Sequence, residues 1–310
     1  MAHEKTLASV RRTLTARRTK NILIVLVLLT TAAVFIRFFA LHPDYIRQLG
    51  RTNPWWIVAV VALNIPMVGL LLLVYDTCLK LCGKQLAWKE NFLLTSYSSI
   101  INFFGPLQSG PGVRAAYLKT RHKVRLRDYT LATLLYYGLF AFFSALFLLV
   151  GTRPWWQTAL ALAAVAGLSV FVIKLFLKRD KQPAASQFSL RGDILVRLMV
   201  VTFLQVLLTA VTYFVELKAV NPHISWGQAV SYSGAANFAL FVSLTPDAIG
   251  FRETFLVFSR RLHHVSTANI LSANIIDRGA YVIFLLLLFV VVLSLHAKDR
   301  LRLGSLKLDD

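Results

Sequence analysis

The sequence predicts an all-α polytopic membrane protein with about six full spans and two re-entrant, broken-helix hairpins arranged as an inverted repeat. First, hydrophobic residues make up 57% of the 310 residues and charged residues only 15%, whereas soluble domains are about 45–50% apolar. Second, the net charge is +20, and the basic residues flank apolar stretches, which favours a membrane protein over a nucleic-acid-binding protein. Third, two apolar stretches are interrupted by Gly and Pro.

Six stretches are long enough to cross a bilayer as helices, because a hydrocarbon core of about 30 Å needs roughly 20 apolar residues. They are about 22–41, 55–78, 129–150, 155–177, 195–219 and 278–297. Residues 1–20 are expected to form a basic cytoplasmic tail, residues 21–297 a single membrane domain, and residues 298–310 a second cytoplasmic tail. Cys78 and Cys82 are interpreted as small apolar side chains on a helix.

The two interrupted stretches, about 91–118 and 228–262, are predicted to enter the membrane and return. With both returning and the N-terminus in the cytoplasm, 25 of the 34 Lys and Arg residues lie inside, seven outside and two within spans. This distribution follows the positive-inside rule. A full crossing at 91–118 would instead place the basic loop 114–127 outside. We therefore expect a multi-pass protein of the inner cell membrane with both termini in the cytoplasm.

The interrupted stretches share a sequence pattern, which predicts an internal repeat. The matching residues are Ser96-Tyr97-Ser98 and Asn102 in the first, and Ser231-Tyr232-Ser233 and Asn237 in the second. The predicted hairpin breaks are Pro106 and Gly112 in the first, and Pro246 and Gly250 in the second. Repeat A covers about 55–150 and repeat B about 195–297, in the inverted arrangement of transporters with a midplane substrate site. The alternative is two turn-forming linkers that share Ser, Gly and Pro.

Five charged residues near these breaks need an explanation, because ionisable groups at membrane depth are costly and usually functional. They are Arg114, Arg252, Glu253, Asp277 and Arg278, with Asp277-Arg278 opening the last predicted span. Arginine suits a lipid phosphate, because its planar guanidinium donates two parallel hydrogen bonds. The alternatives are the ion pairs Glu253–Arg278 or Asp277–Arg252 closing the two halves, and a cytoplasmic loop position for Arg114. Glu253 and Asp277 are also candidates for a coupling proton.

The sequence gives little indication of catalytic or cofactor-binding motifs. The sequence contains no Walker loop, His-Glu-x-x-His or Gly-x-Ser-x-Gly motif. We therefore predict no catalytic residue, no metal site and no cofactor. Asp76 and Glu216 stand at span ends, where hydrated surface positions are expected. The adjacent His263 and His264 point in different directions on a helix and make a poor metal pair.

The sequence resembles the lysylphosphatidylglycerol synthase transmembrane-region family, which includes the flippase half of the multiple peptide resistance factor and stand-alone flippase-like proteins. The likeness covers roughly residues 20–297. It rests on Asn102…Pro106…Gly110-Pro111-Gly112-x-Arg114, on Leu244 to Glu253, and on Arg278-x-x-Tyr281. The second motif resembles the family's Pro-Gly-Gly-hydrophobic-Gly-x-x-Glu element, except that Asp247-Ala248 replaces the glycine pair and Arg252 precedes Glu253. Only about 13 residues follow the last span, so the aminoacyl-transferase domain and its synthase activity are not expected.

The predicted function is translocation of a polar or anionic lipid between leaflets. Arg252 and Arg278, together with Arg114, would bind the head group, and Asn102 and Asn237 would shape the cavity. The sequence leaves open a membrane-embedded enzyme acting on a lipid-linked substrate, an ion-coupled small-solute transporter, and a partner for a lipid-biosynthetic enzyme. The expected partner is a membrane lipid, anionic or phosphate-bearing, and not nucleic acid. The lipid, the direction and energy source of transport, and the oligomeric state stay open.

Overall fold

The computed structural model describes residues 37, 40, 43, 47, 50, 52–104, 109–150, 154–178, 188–242 and 251–305. The chain divides into two compact units, residues 1–47 and 48–310. In the first unit, the described positions 37, 40, 43 and 47 are helical and exposed. The predicted tail 1–20 and nearly all of the predicted span 22–41 lie outside the described residues. In the second unit, all described regular elements are helices, which confirms the all-α prediction.

The helices described in the second unit are named here in chain order. They are α1 (Pro54–Leu81), α2 (Trp88–Phe104), α3 (Gly110–His122), α4 (Leu126–Leu149), α5 (Trp155–Lys178), α6 (Gly192–Val220), α7 (Trp226–Val242), α8 (Phe251–Phe258), α9 (Arg260–His263) and α10 (Thr267–Ser305).

Four of these helices are long and apolar enough to cross a membrane, namely α1, α4, α6 and the part of α10 from Thr267 to Leu295. They coincide with four of the six predicted spans, and they indicate a polytopic membrane protein. A fifth predicted span, 155–177, falls on α5. Its apolar part, Trp155–Phe171, is shorter than the other four.

The last span begins earlier than the sequence pattern predicts. The expectation that Asp277-Arg278 opens this span is wrong, because α10 starts at Thr267 and the pair lies about three turns inside the helix. Polar residues in this first part, such as Asn274, lower the local hydropathy and hide its apolar face. Asn274 is buried, and its side-chain Nδ2 donates to the Ile270 carbonyl within the helix at 2.8 Å and to the Tyr232 hydroxyl on α7 at 3.3 Å.

Local sequence explains where several helices begin and end. Asn53 caps α1, since its Oδ1 accepts a hydrogen bond from the Trp55 N–H at 3.1 Å, and Pro54 follows as the first helical residue. After α3 and α9 the chain turns through Lys123 and His264, which have positive φ angles of 53° and 54°. Each of these left-handed residues stops its helix and is followed by a buried valine.

The helices pack around two apolar clusters. One cluster joins α1, α4 and α6, and the other joins the end of α6 to α7, α8 and α10. Helix α1 packs along α6, and both also contact α10, whereas α4 packs on α7. Cys78 and Cys82 lie in the first cluster as buried free thiols, which agrees with their interpretation as small apolar side chains.

Helices α2 and α3 lie side by side, and so do α7 and α8. At the open end of the α2–α3 pair, Glu90 accepts hydrogen bonds from the Tyr117 hydroxyl at 2.6 Å and from His122 Nε2 at 2.7 Å. Partial burial acts to raise the pKa of Glu90, but these hydrogen bonds outweigh it and the net shift is downward. The ionised carboxylate therefore ties the C-terminal end of α3 to the first turn of α2.

Candidate functional site

Helix α3 directs Arg114 into the protein, against α2 and α1. The side chain is 0% exposed. Its Nη1 donates to Thr95 Oγ1 at 3.0 Å and its Nη2 to Asn91 Oδ1 at 2.6 Å. The guanidinium carbon lies 4.0 Å from the centroid of the Tyr75 ring, in a cation–π contact. One of the two interpretations of the sequence made Arg114 a solvated residue of a cytoplasmic loop, and its burial shows that this interpretation is wrong.

The partners of Arg114 among the described residues are all neutral: a hydroxyl, an amide and an aromatic ring. The Asn91 amide is oriented for this role, because its Nδ2 donates to the Leu72 carbonyl at 3.3 Å and leaves Oδ1 for the arginine. Among the described residues, no carboxylate forms an ion pair with Arg114, and its Nε has no hydrogen-bond partner. Burying a cation without an anion costs several kcal/mol. The site is thus chemically suited to an anion.

Helix α8 places two consecutive charged residues against α10. Arg252 Nη2 donates to Asp277 Oδ2 at 2.5 Å, and its Nη1 donates to the Tyr213 hydroxyl on α6 at 3.3 Å. Arg278 Nη2 lies 2.7 Å from Glu253 Oε1. The arginine side chains are 5% and 1% exposed, and the carboxylates 21% and 20%. Both ion pairs are therefore largely enclosed.

These are the two ion pairs that the sequence offered as alternatives, and both form together. The expectation that such a pair closes the two halves is wrong, because both pairs join α8 to α10. Arg252 and Glu253 are adjacent on α8, and Asp277 and Arg278 are adjacent on α10. Each arginine therefore pairs with a carboxylate of the other helix. The pairs hold the short helix α8 on the long helix α10.

Asn102 and Asn237 lie towards the C-terminal ends of α2 and α7. Asn102 Oδ1 and Asn237 Nδ2 are both buried and have no hydrogen-bond partner among the described residues. Such atoms are rare in native proteins and often mark a functional site. Near Asn102 the chain is tightly packed, because a Cβ on Gly110 would lie 2.5 Å from the Ser98 carbonyl oxygen. Glycine at this position allows α3 to start directly against α2.

Sequence reasoning missed Glu216. It was expected at a hydrated span end, and this is wrong because the side chain is 0% exposed. Its carboxylate receives no hydrogen bond from the described residues, and it interacts electrostatically with Asp277 and Arg252. Helices α7 and α10 both pack on α6, the helix that carries Glu216. The signal in the sequence that could have indicated its burial is that apolar residues, Val215 and Leu217, stand on both sides of it.

The comparison with protein families gives a match over most of the chain. The model of the family "Lysylphosphatidylglycerol synthase TM region" matches residues 21–288. The chain belongs to this family. The match confirms the resemblance seen in the sequence and includes all the site residues described above. No curated protein and no solved structure matches the chain.

In this member of the lysylphosphatidylglycerol synthase TM region family, part of the second motif lies beyond the described residues. Pro106, Pro246 and Gly250 lie outside them, as does the Asp247-Ala248 departure from the family pattern. Each predicted hairpin corresponds to two helices, α2 with α3 and α7 with α8. The predicted break residue Gly112 lies in the first turn of α3 and is exposed. Within the described part of the chain, no three His, Cys, Asp or Glu side chains are grouped as metal ligands.

Proposed function

We propose that this protein moves an anionic or phosphate-bearing lipid between the leaflets of the cell membrane. The observation that carries the proposal is Arg114, a fully buried guanidinium whose described partners are neutral. In surroundings of low dielectric, an anion compensates such a charge. A lipid phosphate offers two oxygens to the planar guanidinium. Family membership places this site in a membrane protein related to lipid metabolism or translocation.

Helix contacts support an inverted repeat in which α1 to α4 correspond to α6, α7, α8 and α10. The contact of α4 with α7 has its counterpart in that of α10 with α2. The contact of α4 with α6 is matched by α10 with α1, and that of α3 with α4 by α8 with α10. The pair α1–α6 joins two equivalent helices. A repeat related by a two-fold axis produces this reciprocity.

Residues outside the Ser-Tyr-Ser motif support the same correspondence. Tyr75 and Tyr213 each contact the arginine of their own repeat, the first through its ring and the second through its hydroxyl. Each tyrosine lies 13 residues before a tryptophan, Trp88 or Trp226, that begins the next helix. The left-handed residues Lys123 and His264 also stand at equivalent places, before α4 and α10.

In this proposal, α2–α3 and α7–α8 are re-entrant hairpins that enter from opposite leaflets. We propose helix α5 and the apolar sequence 22–41 as the other two spans, and the positive-inside bias of the sequence favours cytoplasmic termini. Broken helices at membrane depth need a polar cavity for their freed backbone groups. The buried amide atoms of Asn102 and Asn237 are suited to line it. The closed surroundings of Arg114 correspond to an occluded state of the cavity.

Arg252 and Arg278 have a different role in this proposal from Arg114. Their charges are offset by Asp277 and Glu253. A lipid phosphate therefore reaches them only by taking the place of a carboxylate. Since both pairs hold α8 on α10, this exchange would loosen the contact between these helices while the head group passes. Ion pairing and lipid binding are then alternating states of the same arginines.

The test is lipid translocation in proteoliposomes of the full chain, using head-group-labelled phosphatidylglycerol and a membrane-impermeant reagent that destroys the outer label. Arg114→Gln removes the buried charge and is expected to slow translocation by about 10- to 100-fold, the equivalent of one charged hydrogen bond. Arg114→Lys keeps the charge and should retain part of the rate. Lys119→Gln is the matched control, because it removes an exposed charge from the same helix.

Thermal unfolding of each variant shows whether it is folded before its rate is compared. Recovery of chemically unchanged lipid distinguishes translocation from a lipid-modifying reaction. A folded Arg114→Gln variant that translocates lipid at the wild-type rate would remove this arginine from the mechanism and refute the proposal.

A further inference from the structure

A basic cavity lies where the end of α1 meets the start of α6. Its volume is about 580 Å³, and four cationic side chains line it, those of Lys80, Lys84, Arg191 and Arg197. The Ser189 N–H donates to the Leu81 carbonyl at 2.9 Å, which ties the segment before α6 to the last turn of α1. The cavity is therefore a feature of the α1–α6 packing.

The charges around this cavity do not cancel. Asp76 is shared by two cations, Lys80 at 2.9 Å and Arg197 at 3.0 Å. Arg191 pairs with Asp193 at 3.0 Å. Among the described residues, four cations against two carboxylates leave an excess of positive charge, which favours an anionic lipid head group. Basic pockets between membrane helices are known sites for anionic lipid head groups.

An apolar groove follows the same two helices, further along them from the basic cavity. Its volume is about 530 Å³, and it is lined by Pro66, Gly69, Leu70, Leu73, Trp88, Leu204, Leu207, Leu208 and Val211. Gly69 widens the groove, because a Cβ added there would meet nothing within 4 Å. Trp88 is 66% exposed and forms part of one wall. A groove of this composition suits an acyl chain.

The cavity and the groove are spaced like the two parts of one lipid. From Pro66 to Lys80, α1 rises about 21 Å at 1.5 Å per residue. One leaflet contributes about 15 Å of hydrocarbon. When the groove lies within one leaflet, the four cations therefore lie at the level of its phosphates.

We propose that the seam between α1 and α6 binds one anionic glycerophospholipid, with its phosphate in the basic cavity and an acyl chain in the apolar groove. This site is separate from Arg114, Arg252 and Arg278. It requires only that the chain is embedded in a bilayer, so it does not depend on lipid translocation. The basic cavity selects a lipid with a net negative charge, and the groove accepts its acyl chain.

The test uses tryptophan fluorescence of the full chain in detergent, titrated with phosphatidylglycerol or phosphatidylcholine that carries brominated acyl chains. Bromine quenches a tryptophan that it contacts. The difference between the wild type and Trp88→Phe isolates the signal of Trp88 from the other five tryptophans. We expect Trp88 to be quenched at lower concentrations of phosphatidylglycerol than of phosphatidylcholine.

Two sets of variants separate the parts of the site. Lys84→Gln with Arg191→Gln removes two cations, leaves the Asp76 pairs intact, and should weaken phosphatidylglycerol binding by about 30-fold. Lys119→Gln with Arg121→Gln removes two exposed charges from α3 and should leave binding unchanged. Gly69→Leu fills the groove and should reduce the quenching by both lipids.

Three results would overturn the proposal. Equal quenching by the two lipids would show that the cavity does not select the anionic lipid by its net charge. Unchanged quenching in Gly69→Leu would show that no acyl chain occupies the groove. Absence of quenching by either lipid would show that protein fills the seam.

Discussion

Gly234→Ala is expected to destabilise the protein, although alanine is the better helix former. Gly234 is buried in α7, where this helix crosses α4. A methyl group at this position would lie 2.4 Å from the Leu148 amide nitrogen and 2.6 Å from the Ser144 carbonyl oxygen. Both atoms belong to the backbone of α4. No side-chain rotation relieves the clash, so the two helices must move apart.

The expected effect follows from two opposing terms. Ordinary contacts of a Cβ begin at 3.4 Å, so α4 and α7 must separate by about 1 Å. Replacing glycine within a helix gains about 1 kcal/mol. Overpacking a closely packed contact typically costs about 1–3 kcal/mol. We expect a cost near the upper end of this range, because backbone atoms are involved. We expect a net loss of about 1–2 kcal/mol in the free energy of unfolding.

Thermal unfolding of the full chain in detergent, followed by circular dichroism, measures this loss as a lower Tm. Gly227→Ala is the matched control, because it lies in the same helix and a methyl group there meets nothing within 4 Å. The control should be at least as stable as the wild type. If Gly234→Ala unfolds at the same temperature as Gly227→Ala, the backbone contact between α4 and α7 does not exist and the reasoning is refuted.

Three further predictions concern the buried polar residues. Glu253→Gln leaves Arg278 without its carboxylate and should cost about 3 kcal/mol, much of which the double variant with Arg278→Met regains in the same unfolding assay. Burial lowers the pKa of His263 from 6.5 to about 4. The contribution of its neutral imidazole to the stability of the fold is therefore complete above pH 6.5 and falls as the pH drops towards 4. His263→Gln should flatten this pH dependence of Tm. Glu216→Gln replaces the buried carboxyl group with a neutral amide of the same shape, so its Tm should equal or exceed that of the wild type. Glu216→Ala leaves a cavity and should unfold at a lower temperature.

Each of these measurements has an outcome that contradicts it. Equal stability of Glu253→Gln and the wild type would show that the ion pair with Arg278 contributes nothing. An unchanged pH profile in His263→Gln would assign the acid sensitivity to another group. A Glu216→Gln variant less stable than the wild type would show that the carboxyl group makes a favourable interaction.

The spans α1, α4 and α6 could be predicted closely because apolar length is a local property of about 20 successive residues. The start of α10 could not, because polar residues such as Asn274 lower the local hydropathy and yet are buried by tertiary packing. The possible partners of Arg252 and Arg278 could be named from the sequence, since Glu253 directly follows Arg252 and Asp277 directly precedes Arg278. Their pairing needed the packing of α8 on α10.

The amino-acid sequence by itself determined the membrane character of the chain, most of its spans, its family and five charged residues as candidates for the site. All of these depend on composition, local order or short motifs. Only the tertiary structure decided that Arg114 is enclosed by neutral partners and that Glu216 is buried beside Asp277 and Arg252. The physical reason is that burial and pairing depend on which helices pack together, and residues distant in the chain become neighbours only after that packing.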